Sequence, residues 1–248
     1  MSGRTIAIGD IHGCRQAFEA ILAAIVPVPN DKIILLGDFI DRGPDSWGVI
    51  ARILQLQTEC EVISIQGNHE EMLRSASVDQ TSLRLWLGFG GDATLESYRL
   101  GRDKLPPLTN ADIPFRKWLW KLEESRKELY RFPVPHREFI CSCVSFYETA
   151  THLFVHASCR PNVDAKDESD QFLRWEVVDQ RWSKPHQSGK IMVVGHTAQK
   201  EGKVLDLGHL LCIDTYCHGG GWLTALDVDS GQCWQANRDG ELAQNPAE

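Results

Sequence analysis

Three short apolar runs, at residues 5–8, 32–36 and 61–66, each end in a glycine followed by a residue that can ligate a cation: Gly9-Asp10, Gly37-Asp38 and Gly67-Asn68. Between them, apolar residues recur at helical spacing. Phe18, Ile21, Leu22 and Ile25 form one stripe, stopped by Pro27 and Pro29, and Trp47, Ile50, Ile53 and Leu54 form the next. Strand-length runs separated by amphipathic helices pair in parallel through crossovers, so this part of the chain predicts an α/β architecture. The same pattern says where chemistry belongs. In open α/β folds ligands gather beyond the carboxyl ends of the strands, where all three pairs fall.

The remainder is less regular. Residues 70–135 read as largely helical, interrupted by the glycines of 88–91 and by Pro106-Pro107. Within them Phe115, Trp118, Leu119 and Leu122 make an apolar stripe, with Glu123 and Lys127 as a supporting i,i+4 pair. This stretch is expected to form a helical cap-like segment over the site. Strand patterns return at 152–156, 191–195, 204–207, 210–214, 222–228 and 233–236, and their close spacing predicts antiparallel pairing in a second sheet. No repeat, low-complexity tract or linker interrupts residues 1–248, which predicts a single domain.

Composition narrows the partners. With 34 acidic against 26 basic residues and a formal net charge of −8, the chain lacks the basic excess that binds nucleic-acid backbones. Divalent cations would still allow a phosphorylated substrate, because they dominate the local field. The first residues lack the pattern of a secretory leader, and no stretch reaches the ~18 apolar residues of a membrane span. The eight cysteines are scattered and read as reduced thiols, placing the protein in the cytoplasm. Cys141-Ser142-Cys143, near His136, lacks the second ligand pair of a zinc finger and reads as ordinary thiols. The sequence carries no signal for oligomeric state.

Every predicted strand end offers a ligand: Asp10 and His12, then Asp38, then Asn68 and His69, and later His156 and His196. Mixed carboxylate, imidazole and amide donors suit Mn2+, Fe or Zn2+ better than Ca2+, and the absence of cysteine argues against a structural zinc centre. Singly, each has a plainer explanation. Asp10 or Asn68 after a strand can cap a helix, and a lone histidine is more often a hydrogen-bonded core residue. That explanation does not account for their joint order along the chain.

The blocks GDIHG (9–13), GDFIDRG (37–43) and GNHE (67–70) resemble the signatures of the calcineurin-like metallophosphoesterases. They are most similar to the phosphoprotein phosphatase branch, which includes bacterial serine/threonine phosphatases and symmetrical diadenosine tetraphosphatases. FVHA (154–157) and GHT (195–197) match two further histidine blocks, so the resemblance runs from residue 5 to about 228. It implies a β-sandwich of two mixed sheets flanked by helices, with two metals at one edge. By the same resemblance, Asp10, His12 and Asp38 hold the first cation. Asp38 bridges to the second, which Asn68, His156 and His196 complete. A bridging water would attack phosphorus. His69 would protonate the leaving oxygen, oriented by Asp41, while Arg42 and Asn68 bind phosphate oxygens. A second phosphate-binding arginine is expected near Phe172-Leu173-Arg174-Trp175; Arg174 is the candidate, with Arg181 behind it and a structural ion pair as the alternative.

This chain departs from the family pattern in places. Ser158 replaces a glycine after the fourth block, and Ile213-Asp214-Thr215-Tyr216 is followed by Cys217-His218 and three glycines. Tyr216 and His218 therefore alter the rim of the site. Cys14, beside the first block, reads as a quiet buried thiol or an oxidation-sensitive one. The resemblance implies hydrolysis of phosphate monoesters, foremost phosphoserine and phosphothreonine in proteins. Symmetrical cleavage of dinucleoside tetraphosphates and hydrolysis of a phosphodiester are the enzymatic alternatives. A dead phosphopeptide-binding scaffold is the non-enzymatic one, against which the intact His69–Asp41 pair stands.

Overall fold

In the computed structural model, residues 3–100, 132–178, 182 and 184–244 are described. The three units read from the sequence are present as β1 (Thr5–Ile8), α1 (Arg15–Ile25), β2 (Lys32–Leu35), α2 (Ser46–Leu56), β3 (Glu61–Ser64) and α3 (Asn68–Ala76). β1 pairs in parallel with β2, and β2 with β3. Helix α1 ends two residues before Pro27: Val26 turns left-handed (φ 48) and its N–H bonds Leu22 O. Asp45 caps α2, accepting from Gly48 N at 2.9 Å.

Because side chains alternate across a strand, each strand of this sheet feeds two cores. Ile6, Ile8, Ile33 and Leu35 pack against Phe18, Ile21, Ile50 and Ile53 of the helices. Ala7, Ile34 and Leu36 face the opposite way, toward Phe154, Val193 and Ile213 of the other sheet. Burial on both faces is why these runs are continuously apolar.

After α3 come α4 (Gln80–Trp86), a π-helical turn at Leu87–Gly91, α5 (Asp92–Leu100), α6 (Val134–Ser142), β4 (Phe146–Glu148), β5 (His152–Val155) and α7 (Asp170–Trp175). They are followed by β6 (Ile191–Val194), β7 (Leu205–Asp206), β8 (Leu210–Cys212), β9 (Asp214–Thr215), β10 (Trp222–Asp227) and β11 (Cys233–Asn237). One sheet has the order β11-β10-β1-β2-β3, with β9 also paired to β10; the other has the order β4-β5-β6-β8-β7. Leu153, Val155, Met192 and Val194 face outward from the second sheet and pack with Leu173 of α7.

Two sequence expectations are corrected here. β5, β6 and β8 pair in parallel, not antiparallel, because the chain makes a crossover between each pair. β10 and β11 belong to the first sheet: β2 occupies one edge of β1, and β10 covers the other in antiparallel register. The glycine break at 88–91 is real, with Gly90 at φ 106 inside the π turn. Pro106-Pro107, the stripe at 115–122 with its neighbouring ion pair, and Arg181 lie outside the described residues. His136 bonds Tyr98 OH at 2.8 Å and the Cys143 thiol donates to Phe139 O at 3.4 Å, so both are occupied in local packing. Among the described residues no helix is long and apolar enough to cross a membrane.

Candidate metal centre and active site

The carboxyl ends of β1, β2, β3, β5 and β6 converge on one edge of the sandwich, and the chain bends sharply there. His12 (φ 44), Asp38 (φ 50), Asp41 (φ 71), Arg42 (φ 66) and His196 (φ 61) are all left-handed. For residues other than glycine such backbone costs on the order of 1 kcal/mol or more each, so strain is concentrated among the candidate ligands and their neighbours. Hydrogen bonds between the loops hold it: the Ile11 and His12 amides both donate to Asp38 O, at 3.1 and 2.8 Å. Gly67 and Gly195 serve close approach rather than turning. A Cβ on either would lie 2.1 Å from a carboxylate oxygen, of Asp38 and Asp10 respectively.

Backbone carbonyls set the histidine tautomers. His12 Nδ1 bonds Ile40 O at 2.9 Å, which leaves Nε2 facing Asp38 Oδ2 at 3.5 Å. His156 Nδ1 bonds Leu36 O at 2.8 Å, and its Nε2 lies 3.4 Å from Asp38 Oδ1 and 3.0 Å from Asn68 Oδ1. His196 is reversed: Nε2 bonds Trp175 O at 3.2 Å and Nδ1 faces Asn68 Oδ1 at 3.2 Å. Each ring thus donates its proton outward and turns a lone pair into the cluster, as a metal ligand must. Burial keeps the rings neutral, lowering His12 and His156 and bringing His196 down to about 4. Burial also opposes ionisation of Asp38, but His156, His69 and His12 outweigh it and hold that carboxyl well below its ordinary range.

The donor atoms of His12, Asp38 and His69 lie within 4.8 Å of one another, as do those of Asp38, His156 and His196, with Asp38 common to both groups. Asp10 lies outside these groups and accepts from His196 N at 3.0 Å. Burial, then the Asp214 and Asp38 carboxylates, push Asp10 well above its usual range. Three carboxylates crowded together in a dry site are what divalent cations neutralise, so the donor set fits a metal centre.

Beside it stands the His69–Asp41 pair. His69 Nδ1 bonds Asp41 Oδ2 at 2.7 Å, and both residues are fully buried. His69 Nε2 has no hydrogen-bond partner and lies 3.9 Å from Asp38 Oδ2. Burial works against protonating this imidazole, but Asp38 and Asp41 prevail and raise it. Asp41 accepts two further bonds, from Trp86 Nε1 at 2.8 Å and Thr94 Oγ1 at 2.6 Å. Next to it, Arg42 N donates to Gly90 O at 3.2 Å, and the Arg42 guanidinium lies 2.9 Å from His12 Nε2. The described part of the 70–135 segment therefore buttresses the His69–Asp41 pair. His218 meets His12 edge-on, with ring centroids 4.6 Å apart, and its buried Nδ1 has no partner.

The calcineurin-like phosphoesterase family matches residues 3–221. This chain is a calcineurin-like phosphoesterase. The phosphoesterase is 24% identical to the symmetrical bis(5'-nucleosyl)-tetraphosphatase of Cellvibrio japonicus (strain Ueda107), over 92% of this chain and 96% of that protein. It is 38% identical to serine/threonine-protein phosphatase 1 of Salmonella typhimurium, but over only 34% of this chain and 38% of that one. A crystal structure described as a candidate diadenosine tetraphosphatase shares the fold, with a TM-score of 0.60 at 20% identity, over 95% of this chain and 94% of that one. Enzymes of this family hydrolyse phosphate esters with divalent metal ions, and the two mixed sheets flanked by helices are the family's fold.

Several residues of the phosphoesterase site escape sequence reading. Glu70 ties the blocks together: its carboxylate accepts from Asp38 N (3.0 Å), Phe39 N (2.9 Å) and Gly67 N (3.0 Å). The signal available for it is a glutamate three residues beyond a helix N-cap, the capping-box position. Trp86 and Thr94 carry no such signal. Arg174 is buried and its guanidinium reaches Asp170 at 3.0 Å, Glu71 at 3.4 Å and Ser145 Oγ at 3.1 Å. Trp175 Nε1 also donates to Glu71, at 3.1 Å, while the Trp175 carbonyl holds His196. Cys14 is buried, its thiol donating to His12 O at 3.5 Å.

Proposed function

We propose that this phosphoesterase hydrolyses dinucleoside polyphosphates, with His69 as the acid for the leaving oxygen. The observation that carries the reaction type is His69 Nε2. It is a buried donor with no acceptor, its proton held on by Asp41 and Asp38, aimed at the group shared by the two ligand clusters. Asp10, His12, Asp38, Asn68, His156 and His196 would hold two divalent cations, taken first as Mn2+ with Fe or Zn2+ as alternatives, all of which this mixed donor set suits. Cations bound there supply Lewis-acid activation of water and of the phosphoryl group. Arg42 offers its guanidinium fork to phosphate oxygens, and Asn68 adds an amide. Arg174, already engaged by Asp170 and Glu71, is assigned to positioning His196 through Trp175.

The choice of substrate rests on how far each likeness extends. Similarity to the tetraphosphatase spans nearly both chains, whereas that to the protein phosphatase is confined to about a third of each. This favours a dinucleoside polyphosphate over the phosphoserine and phosphothreonine that the signature blocks alone put first.

The test compares nucleotide release from diadenosine tetraphosphate with phosphate release from phosphoserine peptides, in Mn2+ buffer. Efficient turnover of the peptides with none of the dinucleotide would overturn the substrate assignment. In the same assays His69→Asn should lower kcat by roughly 10²–10⁴ with metal content unchanged. Loss of the metals in that variant would show His69 to be a ligand instead of the acid.

A further inference from the structure

The three glycines after His218 have no part in the chemistry described above, and the structure shows what they border. His218, Gly219, Gly220 and Gly221 line a cavity of about 460 Å3, together with Asn237, Arg238 and Asp239. Arg238 and Asp239 also line a larger cavity of about 980 Å3, bounded further on by Arg15, Glu19 and Asp45. The two adjoin along Arg238 and Asp239, and together they border one groove-like stretch of surface. At its near end His218 packs edge-on against the candidate ligand His12, with ring centroids 4.6 Å apart. Gly220 (φ 103) has no heavy atom within 4 Å of where a Cβ would stand, so that part of the wall is bare backbone.

Charge is ordered along this groove. Arg42 stands beside His12, behind His218 and outside the cavity lining. Arg238 comes next; it is exposed, and no carboxylate of the described residues lies within 4 Å of its guanidinium. Arg15, further out, is held instead by Glu19 and Asp45, each at 3.4 Å. Beyond the shared Arg238 and Asp239, the far stretch adds the carboxylates of Glu19 and Asp45, which pair with Arg15, and Glu19 also with Arg52. An unpaired guanidinium matches phosphate, whereas carboxylates beyond it repel phosphate and accept hydrogen bonds from ribose hydroxyls.

We propose that the groove binds the part of a dinucleoside polyphosphate beyond the cleaved phosphate, with Arg238 taking a phosphate of the chain and the carboxylates past it taking the ribose. This rests on the dinucleotide reading of the active site, and the two are tested separately. Calorimetric titration of the Mn2+-loaded protein with a methylene-bridged dinucleoside tetraphosphate, AppCH2ppA, reads the whole groove, whereas inorganic phosphate reads the metal centre alone. Arg238→Ala should weaken AppCH2ppA by about tenfold, the scale of one charge-assisted contact, and phosphate by less than about twofold. An unchanged Kd for AppCH2ppA would overturn the groove assignment. So would an equal loss for both ligands, or a wild type that binds AppCH2ppA no more tightly than phosphate. Turnover of diadenosine tetraphosphate by the wild type is scored independently: its absence, with Arg238-dependent binding intact, would sink the substrate reading and leave the groove standing.

Discussion

Thr94 is 53 residues from Asp41 in sequence, yet its hydroxyl donates to Asp41 Oδ1 at 2.6 Å and accepts from Asp41 N at 2.8 Å. With that proton given to the carboxylate, the Ser46 hydroxyl 3.0 Å away must donate to Thr94 in turn. All three residues are fully buried. Thr94→Val keeps the shape of the side chain and deletes the hydroxyl, so Asp41 Oδ1 and the Ser46 proton both lose their partner. A hydrogen bond to a charged group contributes about 1.5–3 kcal/mol, and stranding a second buried donor puts the expected cost near the top of that range, about 3 kcal/mol. For a chain of this length 1 kcal/mol corresponds to roughly 2–4 °C, so the unfolding temperature should fall by about 6–12 °C. Asp41 would also hold His69 less firmly, lowering kcat by about tenfold or more while metal content stays unchanged. Thermal unfolding by circular dichroism and turnover of p-nitrophenyl phosphate read the two effects, and Thr94→Ser should restore most of both. A valine variant that melted within about 2 °C of wild type and turned over at the wild-type rate would refute the link from α5 to the acid pair.

Two more perturbations follow from the same kind of accounting. Glu70→Gln leaves one acceptor oxygen for three backbone amides and points an NH2 donor at the rest. It should cost about 2–4 kcal/mol and release metal as the Asp38 loop relaxes, read by urea unfolding and elemental analysis; full occupancy at wild-type stability would show the clamp to be dispensable. Asp31, far from the site, accepts from Arg4 N (2.9 Å) and Val28 N (3.0 Å) and pairs with the Arg4 guanidinium. Burial pushes its carboxyl up, but the Arg4 bonds outweigh that and leave it below 3.8. A depressed folded pKa gives stability that is present above the unfolded value, near 3.9, and lost as pH falls through the folded one. Asp31→Asn should therefore be less stable than wild type at pH 7 and closer to it at pH 3; a gap that stayed constant between those two pH values would count against the ion pair.

What could be read in the amino-acid sequence is what local physics writes there. The bounds of β1, α1 and α2 follow from apolar period, proline and a capping aspartate, each acting within a few residues. The candidate ligands and the acid pair were legible because they sit in short blocks directly after strands, where the chain must turn anyway. The rest depends on partners distant in sequence. Whether β10 completes the first sheet or joins the second is decided by which edge of β1 lies open, and no pattern within residues 222–228 records that. Nothing in Trp86 or Thr94 announces a contact with Asp41, because a hydrogen bond across 45 or 53 residues leaves no periodic trace. Backbone strain at His12, Asp38 and His196, and the choice of ring nitrogen each histidine turns inward, are likewise set by carbonyls and amides of other loops. Arg238 reaches the groove from the loop after β11, far along the chain from the blocks it serves. Residue types and their spacing specified a phosphoesterase; only the packing of distant segments decided how the His69–Asp41 pair is held and which side chains border the groove beside it.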